Sequence, residues 1–556
     1  MTRTRRSAGG AALAAAIAAL GVAMIVVLAG VVGGSVPVAY AHAALESSVP
    51  AANSVLEVGP PQIGLDFDES IEADVASIAL FKGDGAAVGL GKPSAAADDT
   101  VVSVSVPSLE DGVYAVIWRV TSADGHVVDG AFSFQVGTLT SGNGAFGDGQ
   151  QLIDQVRSGV RSAPSVRWWY GVARFLSLAG AIGLLGGGCW LLQGEASLAT
   201  RRGPRRFVDV AWVAFLVGSI AAFGLFGAEA VAGSLSDAFN TSAWGDLATT
   251  KTGRMLLLRV ALALVLGVLL ALRGRRTEGW WRSASFTAAV FALYTFSASG
   301  HPNSMEPPAL WIAIDLVHLG AIAVWIGGLL ALAFGGSAVR GADGERLVRR
   351  FSLAASVCVP LIVATGVAQT LKLAGGLDDI TANDWGRLLL TKVTVVTALI
   401  AVAGVSRWLL QHDGASSIRR TVLVEAVLGV AVVAIAAGMV ALPPEPAVAA
   451  RPFTEQLSAN GLIAVISLSP GSIGGNEVHI VVTPPGGSIA PVSSATARVS
   501  LPSADIPLSP VTLVKEGPNH YSGSITFPRS GDWTFELVVK VTETDSVLLK
   551  TTVSIP

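Results

Sequence analysis

Eight runs of apolar residues in the middle of the chain constrain its fold most strongly. A bilayer core about 30 Å thick requires about 20 apolar residues in a helix that crosses it. Hydrophobic residues make up 51% of the 556 and charged residues only 14%, as in a polytopic membrane protein with soluble parts attached. The runs therefore predict an α-helical bundle of eight transmembrane helices within residues 166–445. Their approximate limits are 168–192, 207–232, 255–272, 283–300, 309–335, 351–373, 388–410 and 421–443.

The loops between these runs carry basic residues very unevenly. Arginines cluster in every second loop, whereas the other loops and span edges hold few basic residues. Because cytoplasmic loops are enriched in Lys and Arg, the arginine-rich end is predicted to be cytoplasmic. The segments on either side of the bundle are then both expected outside the cytoplasm, and the location is a bacterial plasma membrane. The net charge of −3 gives no indication of a nucleic-acid partner.

The N-terminus has the pattern of a secretory signal. A basic segment, MTRTRR, precedes an apolar run from Ala11 to about Gly34, and an A-x-A sequence ends at Ala41. We therefore predict a signal peptide over residues 1–41, cleaved before His42. The apolar run exceeds the usual length of ~7–15 residues, so an uncleaved anchor is the alternative.

Residues 42–138 predict an exported β-sandwich, because short β-rich runs alternate with Gly, Pro, Asn and Asp. The segments HAALESSVPAANSVL, LDFDESI and YAVIWRVTSADGHVVDGAFSFQV resemble the CopC family of copper-binding domains, which have an immunoglobulin-like Greek-key fold. The resemblance implies Cu(II) ligands at His42, Asp124 and His126. A mature His42 would offer its amine and imidazole, and tetragonal nitrogen and oxygen donors suit Cu(II). Glu69 is a weaker or second-sphere candidate, and its alternative role is that of a solvated carboxylate.

The chain continues as a Gly-rich linker over residues 139–165 and ends in a second exported β-domain over 446–556. Alternating strands after Pro444 predict an immunoglobulin-like sandwich. The segment GPNHYSGSITFPRSGDWTFELVV resembles YtkA- or FixH-like modules. His479 and His520 are low-ranking copper candidates, because single histidines on strands are usually surface residues.

The fifth apolar run contains two ionisable residues, Asp315 and His318. Such residues are costly inside a membrane and indicate a functional site. His318 lies roughly 13 Å below the outer end of the run, near the middle of the bilayer. The alternative is a structural histidine bonded to a backbone carbonyl of a neighbouring helix. We expect the Asp315 carboxylate to orient the His318 ring.

Four further residues extend this predicted copper path. His301 and Met305 flank the outer entrance to the fifth run, and Met255 and Met439 are also predicted at the outer side. Imidazole and thioether ligands suit copper, and sulfur favours Cu(I). The alternative for Met255 and Met439 is simple packing at helix ends.

The bundle also shows an internal repeat and a second resemblance. The openings of runs three and seven are similar, and runs one and five share a Gly-Ala-Ile segment before paired glycines, which predicts two parallel four-helix halves. The pattern D-x-x-H-x6-W-I-G-G, beginning at Asp315, resembles the CopD family of copper membrane proteins. A CopC-like domain ahead of a CopD-like one is the arrangement of YcnJ-like copper proteins.

These resemblances imply a copper-binding membrane protein that captures Cu(II) outside the cytoplasm and moves copper across the membrane, as in copper import or homeostasis. Thioether ligands would favour Cu(I) in the membrane domain. The alternative is a resistance or chaperone protein that sequesters copper and hands it to extracytoplasmic copper proteins. An N-terminal histidine also occurs in copper oxygenases, but Asp124 would crowd their open axial position. We therefore expect no enzymatic activity.

Overall fold

The computed structural model describes most of the chain after the predicted signal peptide. The described residues are 43–137, 145–157, 163–192, 202–334, 342–373, 384–412, 419–440 and 453–555, apart from gaps at 44, 51, 53, 97–98, 242, 470, 472–473, 485–491, 505, 518, 529 and 543. They form an N-terminal β-sandwich, a helical bundle and a C-terminal β-domain.

The N-terminal sandwich contains nine strands in two sheets. Alternation in β3 turns Ile63, Leu65 and Phe67 inward, where Phe67 meets Trp118 edge-on at 5.3 Å between ring centroids. One sheet has the order β1-β3-β7-β6 and the other β2-β9-β8-β4-β5. The strands are β1 (Leu45–Val49), β2 (Val55–Leu56), β3 (Gln62–Phe67), β4 (Ser77–Lys82), β5 (Ala87–Val88), β6 (Ser94–Ala95), β7 (Val101–Ser105), β8 (Gly112–Thr121) and β9 (Val127–Val136).

The segment predicted as a linker contains a helix, α1 (Ala145–Arg157). Its apolar residues Leu152 and Ile153 pack with Ala115 and Ile117 of β8. One face of β8 therefore covers the sandwich core while the other is covered by α1, which explains why nearly the whole strand is buried.

Eight long helices occupy the positions of the eight predicted spans. Seven of these described helices are long and apolar enough to cross a membrane, and α6 is the exception. Its sequence carries Arg282 and several Ser and Thr residues, and Thr295 and Ser297 are fully buried among its neighbours. The long helices are α2 (Pro164–Leu192), α3 (Arg202–Ala230), α5 (Lys251–Ala271), α6 (Gly279–Ala298), α7 (Pro308–Phe334), α8 (Ala342–Leu373), α9 (Asp384–His412) and α10 (Arg419–Met439); a short helix, α4 (Ala243–Thr249), precedes α5.

Helices α2 and α7, the first and fifth predicted spans, meet through the paired glycines. A Cβ on Gly186 would lie 1.7 Å from the carbonyl oxygen of Ala323, and one on Gly327 would lie 2.4 Å from that of Ile182. Only glycine allows the two backbones to approach this closely. At this contact α7 forms a π turn over Ala323–Gly327.

The N-terminal sandwich sits on the end of the bundle opposite the arginine-rich loops. The Arg119 guanidinium donates to the carbonyl oxygens of Glu229 and Ala230 at the end of α3. The Glu72 carboxylate accepts from the backbone N–H groups of Lys251 and Thr252 at the start of α5, both at 2.9 Å. These contacts fix the sandwich against two helix ends.

The C-terminal domain is β-rich, as predicted. Its eight antiparallel strands run in one continuous order, β10-β11-β12-β15-β14-β13-β16-β17, and the first and last strands touch each other. The strands are β10 (Phe453–Ala459), β11 (Leu462–Ser469), β12 (Gly474–Thr483), β13 (Ser494–Leu501), β14 (Ile506–Gly517), β15 (His520–Phe527), β16 (Gly531–Lys540) and β17 (Ser546–Ile555).

Candidate metal centre

The turn between β8 and β9 presents Asp124 and His126. Gly125 adopts φ +83°, which favours glycine, and its N–H donates to the Ser122 carbonyl at 2.9 Å. The His126 backbone N–H donates to Asp124 Oδ1 at 3.0 Å and so orients the carboxylate. A Cβ on Gly125 would lie 3.1 Å from Thr252 Oγ1, so the glycine also allows the turn to approach α5.

The structure brings His301 from the membrane domain to this turn. His301 lies in the loop between α6 and α7, and its Nδ1–H donates to Asp124 Oδ2 at 2.9 Å. His126 Nδ1 lies 2.9 Å from the same oxygen. The two imidazole rings are stacked almost parallel, with centroids 4.7 Å apart and an angle of 3°. The sequence had placed His301 at the entrance to a membrane path, not beside Asp124.

These three side chains have the spacing of a metal site. One ligand atom from each of Asp124, His126 and His301 lies within 4.8 Å of the others. A separation of 2.9 Å is that of two adjacent ligands bound to an ion at ~2.0–2.1 Å. Asp124 is fully buried, and the side chains of His126 and His301 are 11% and 13% exposed. Two imidazoles and a carboxylate suit a divalent first-row metal, Cu(II) above all.

Polar contacts hold the loop of His301 against the turn. Asn303 Nδ2 donates to the Ala123 carbonyl at 3.2 Å, and its Oδ1 accepts from Lys251 Nζ at 2.7 Å. Arg119 provides a more buried anchor nearby. Burial lowers the pKa of its guanidinium, and the carboxylates of Glu229 and Asp129 oppose that shift.

A second polar cluster lies deeper, between α6, α7 and α8. Asp315 accepts from Ser297 Oγ at 2.6 Å and from Gln369 Nε2 at 3.2 Å. His318 Nδ1 lies 2.7 Å from Thr365 Oγ1. The expectation that Asp315 orients the His318 ring is therefore wrong, because the two side chains have different neighbours and Thr365 contacts the histidine.

The contacts of the Thr365 hydroxyl favour one tautomer of His318. It donates its own hydrogen to the Leu361 carbonyl at 2.5 Å, so its oxygen accepts from His318 Nδ1–H. A neutral imidazole then carries its lone pair on Nε2. That nitrogen has no hydrogen-bond partner among the residues that the structure describes, so its lone pair can bind a metal ion.

The comparisons with known proteins separate the chain into three matched segments. Residues 45–137 match the CopC domain family, residues 165–309 match the N-terminal domain of copper resistance protein D-like proteins, and residues 345–439 match copper resistance protein D. The chain joins a CopC domain to a CopD domain. The chain therefore combines domains of copper resistance proteins with seven described helices that are long and apolar enough to cross a membrane.

Two relatives align with this chain over most of their own length. The copper transport protein CutJ of Bacillus subtilis is 26% identical over 80% of this chain and 82% of its own length. The inner membrane protein YebZ of Escherichia coli is 28% identical over 42% of this chain and 81% of its own. The crystal structure of CopC from Methylosinus trichosporium OB3b is 27% identical, covers 18% of this chain and 100% of its own, and has a TM-score of 0.17.

His42 and Glu69 are the other predicted ligand candidates of the CopC domain. His42 lies outside the described residues. Glu69 accepts a short hydrogen bond from Ser122 Oγ, two residues before Asp124. This contact fits a second-sphere position better than that of a direct ligand.

In the CopD domain, Met305 and Met439 are buried in one apolar cluster with Trp311 and Trp385. Met255 is half-buried near the start of α5. The side chains of Met305 and Met439 therefore lie in one cluster, which keeps two thioethers close together.

Sequence reasoning missed the residues that surround Asp315 and His318. Thr365 and Gln369 lie four residues apart on the same side of α8 and contact the two ionisable residues. Polar residues four apart in the middle of a mostly apolar run are a signal that would have found them.

Proposed function

We propose that this protein captures Cu(II) outside the cytoplasm at a site shared between its CopC and CopD domains, and that copper then moves across the membrane past His318. The observation that carries the proposal is the position of His301. A ligand from the membrane domain lies within hydrogen-bonding distance of Asp124 in the capture domain. Copper held there already contacts the protein segment that leads into α7.

Asp124, His126 and His301 form the described part of the capture site, and His42 is proposed as a further ligand. The site lies at the bundle end away from the arginine-rich loops, which the positive-inside rule makes extracytoplasmic. CutJ, a relative named as a copper transport protein, supports transport as the outcome of capture.

His318 is the proposed relay within the membrane. Its Nε2 lone pair suits a copper ion, and the Thr365 hydroxyl keeps the other nitrogen protonated. Met305 and Met439, near the entrance, are proposed to favour Cu(I), because thioethers bind the reduced ion. The reductant would come from outside the chain, and inward movement would follow a gradient or a coupled ion.

The experiment compares His301→Ala with Asn303→Ala in the full-length protein. Both variants lose a contact between the domains, but only the first loses a proposed ligand. We expect His301→Ala to weaken Cu(II) binding and change its electron paramagnetic resonance spectrum, while Asn303→Ala keeps the wild-type spectrum. An unchanged spectrum in His301→Ala would show that copper does not bind at the domain junction.

Cell copper in a deletion strain distinguishes transport inward from sequestration. Lower copper than in the parent strain supports import, and higher copper supports a resistance role in which the ion stays outside.

A further inference from the structure

A second pair of histidines lies in the C-terminal domain. His479 on β12 and His520 on the neighbouring strand β15 are in diagonal register, since His479 pairs with Ser522 and His520 with Val481. His479 Nδ1 lies 3.2 Å from His520 Nε2. The rings are stacked, with centroids 5.5 Å apart and an angle of 27°.

A carboxylate contacts the opposite nitrogen of His479. Glu477 Oε1 lies 3.1 Å from His479 Nε2. The negative charge favours a proton on Nε2, which leaves the lone pair of a neutral ring on Nδ1, towards His520. A carboxylate close to the second nitrogen is a common second-sphere neighbour of a metal-binding histidine.

The pair is positioned by the fold and partly shielded from solvent. His479 lies on the face of β12 opposite the core residues Val478 and Ile480, yet its side chain is only 11% exposed. Strand β12 also contacts β1, the first strand of the CopC domain. His479 therefore belongs to a strand that touches the capture domain.

We propose that His479 and His520 bind a second Cu(II) ion, with Glu477 as the positioning residue. A nitrogen separation of 3.2 Å fits two ligands of one ion at ~2.0–2.1 Å with an angle between tetrahedral and square. Imidazole pairs bind Cu(II) most tightly among the divalent first-row ions, and water completes the coordination. In the metal-free protein His520 Nε2–H donates to His479 Nδ1; on binding, that proton moves to the other nitrogen of His520 or to solvent.

This inference goes beyond transport, because the second site would exist whether or not copper crosses the membrane. It gives the C-terminal domain a role as a copper-holding module beside the capture domain.

The test is Cu(II) stoichiometry of the full-length protein in detergent, after chelator treatment, with the number of coordinated nitrogens read by pulsed electron paramagnetic resonance. Wild type should bind two equivalents. His479→Ala and His520→Ala should each bind one and keep the spectrum of the capture site, whereas His126→Ala should lose the capture-site signal and keep the second. The control is His412→Ala, whose exposed histidine caps the Trp408 carbonyl and which should bind two.

Glu477→Gln retains both histidines and serves if an alanine variant fails to fold. We expect it to weaken the second equivalent by about 10–100-fold without changing the capture-site spectrum. Two equivalents in both His479→Ala and His520→Ala, or wild-type affinity for both equivalents in Glu477→Gln, would overturn the proposal. Displacement of the second equivalent by equimolar Zn(II) would overturn the assignment to copper. If His318→Ala loses transport but still binds two equivalents of Cu(II), the result supports a second site that is independent of the membrane relay.

Discussion

Replacing Thr365 by valine tests whether a hydroxyl on α8 sets the chemistry of His318. Valine has nearly the shape of threonine, so the change removes the acceptor of His318 Nδ1–H and leaves little cavity. A buried donor without an acceptor costs about 1–3 kcal/mol, whereas hydrogen bonds between membrane helices average about 0.6 and reach about 1.7 kcal/mol. We therefore expect a loss of about 1 kcal/mol in the free energy of unfolding.

The effect on copper movement should be larger than the effect on stability. Without its partner the ring can rotate or change tautomer, and loss of such an outer partner typically lowers metal affinity or activity by about 10–100-fold. Uptake of radioactive copper into vesicles of known orientation measures the rate at matched protein levels. Thermal unfolding in detergent measures the stability.

Thr365→Ser is the matched control, because serine keeps the hydroxyl and its bond to the Leu361 carbonyl. It should transport at a rate close to wild type. If Thr365→Val also transports at the wild-type rate, the hydroxyl does not control the ring and the proposed relay is wrong in this respect.

Three further predictions follow from the capture site, the relay and the helix contact. His318→Ala should abolish copper movement and leave Cu(II) capture intact, with a milder defect in Asp315→Asn; normal uptake by His318→Ala would make that histidine structural. An extra residue before His42 should weaken Cu(II) binding because it separates the terminal amine from the imidazole, and mass spectrometry that finds residues 1–41 still attached would contradict this. Gly186→Ala should lower the free energy of unfolding by about 1–3 kcal/mol, because its Cβ would overlap a carbonyl of the π turn. Gly188→Ala, where a Cβ meets nothing within 4 Å, should have the wild-type free energy of unfolding.

The resemblance to the CopC family indicated Asp124 and His126 as proposed ligands. The turn that presents them is an Asp-Gly turn between two strands, which is a local pattern of the sequence. The eight long helices could also be predicted, because the length of each apolar run is visible in the sequence. The polar content of α6 shows where length alone overestimates the apolar character of a span.

The contact between Asp124 and His301 could not be predicted from the sequence in the same way. Asp124 and His301 are 177 residues apart, and no local pattern determines which surface of a sandwich meets which loop. The partner of His318 was missed for a related reason. Spacing along α7 places Asp315 near it, but packing against α8 brings Thr365 closer to the ring nitrogen.

The contacts that anchor the CopC domain also determine its orientation on the helical bundle. The exposed N–H groups at the start of a helix carry a partial positive charge, and the carbonyls at its end a partial negative one. The acidic Glu72 meets the start of α5, and the basic Arg119 meets the end of α3. If the sandwich were rotated by half a turn, Glu72 would face the negative end of α3 and Arg119 the positive start of α5, and both contacts would be repulsive. The opposite partial charges at these two helix ends therefore favour one orientation of the CopC domain. That orientation is the one that brings Asp124 to His301.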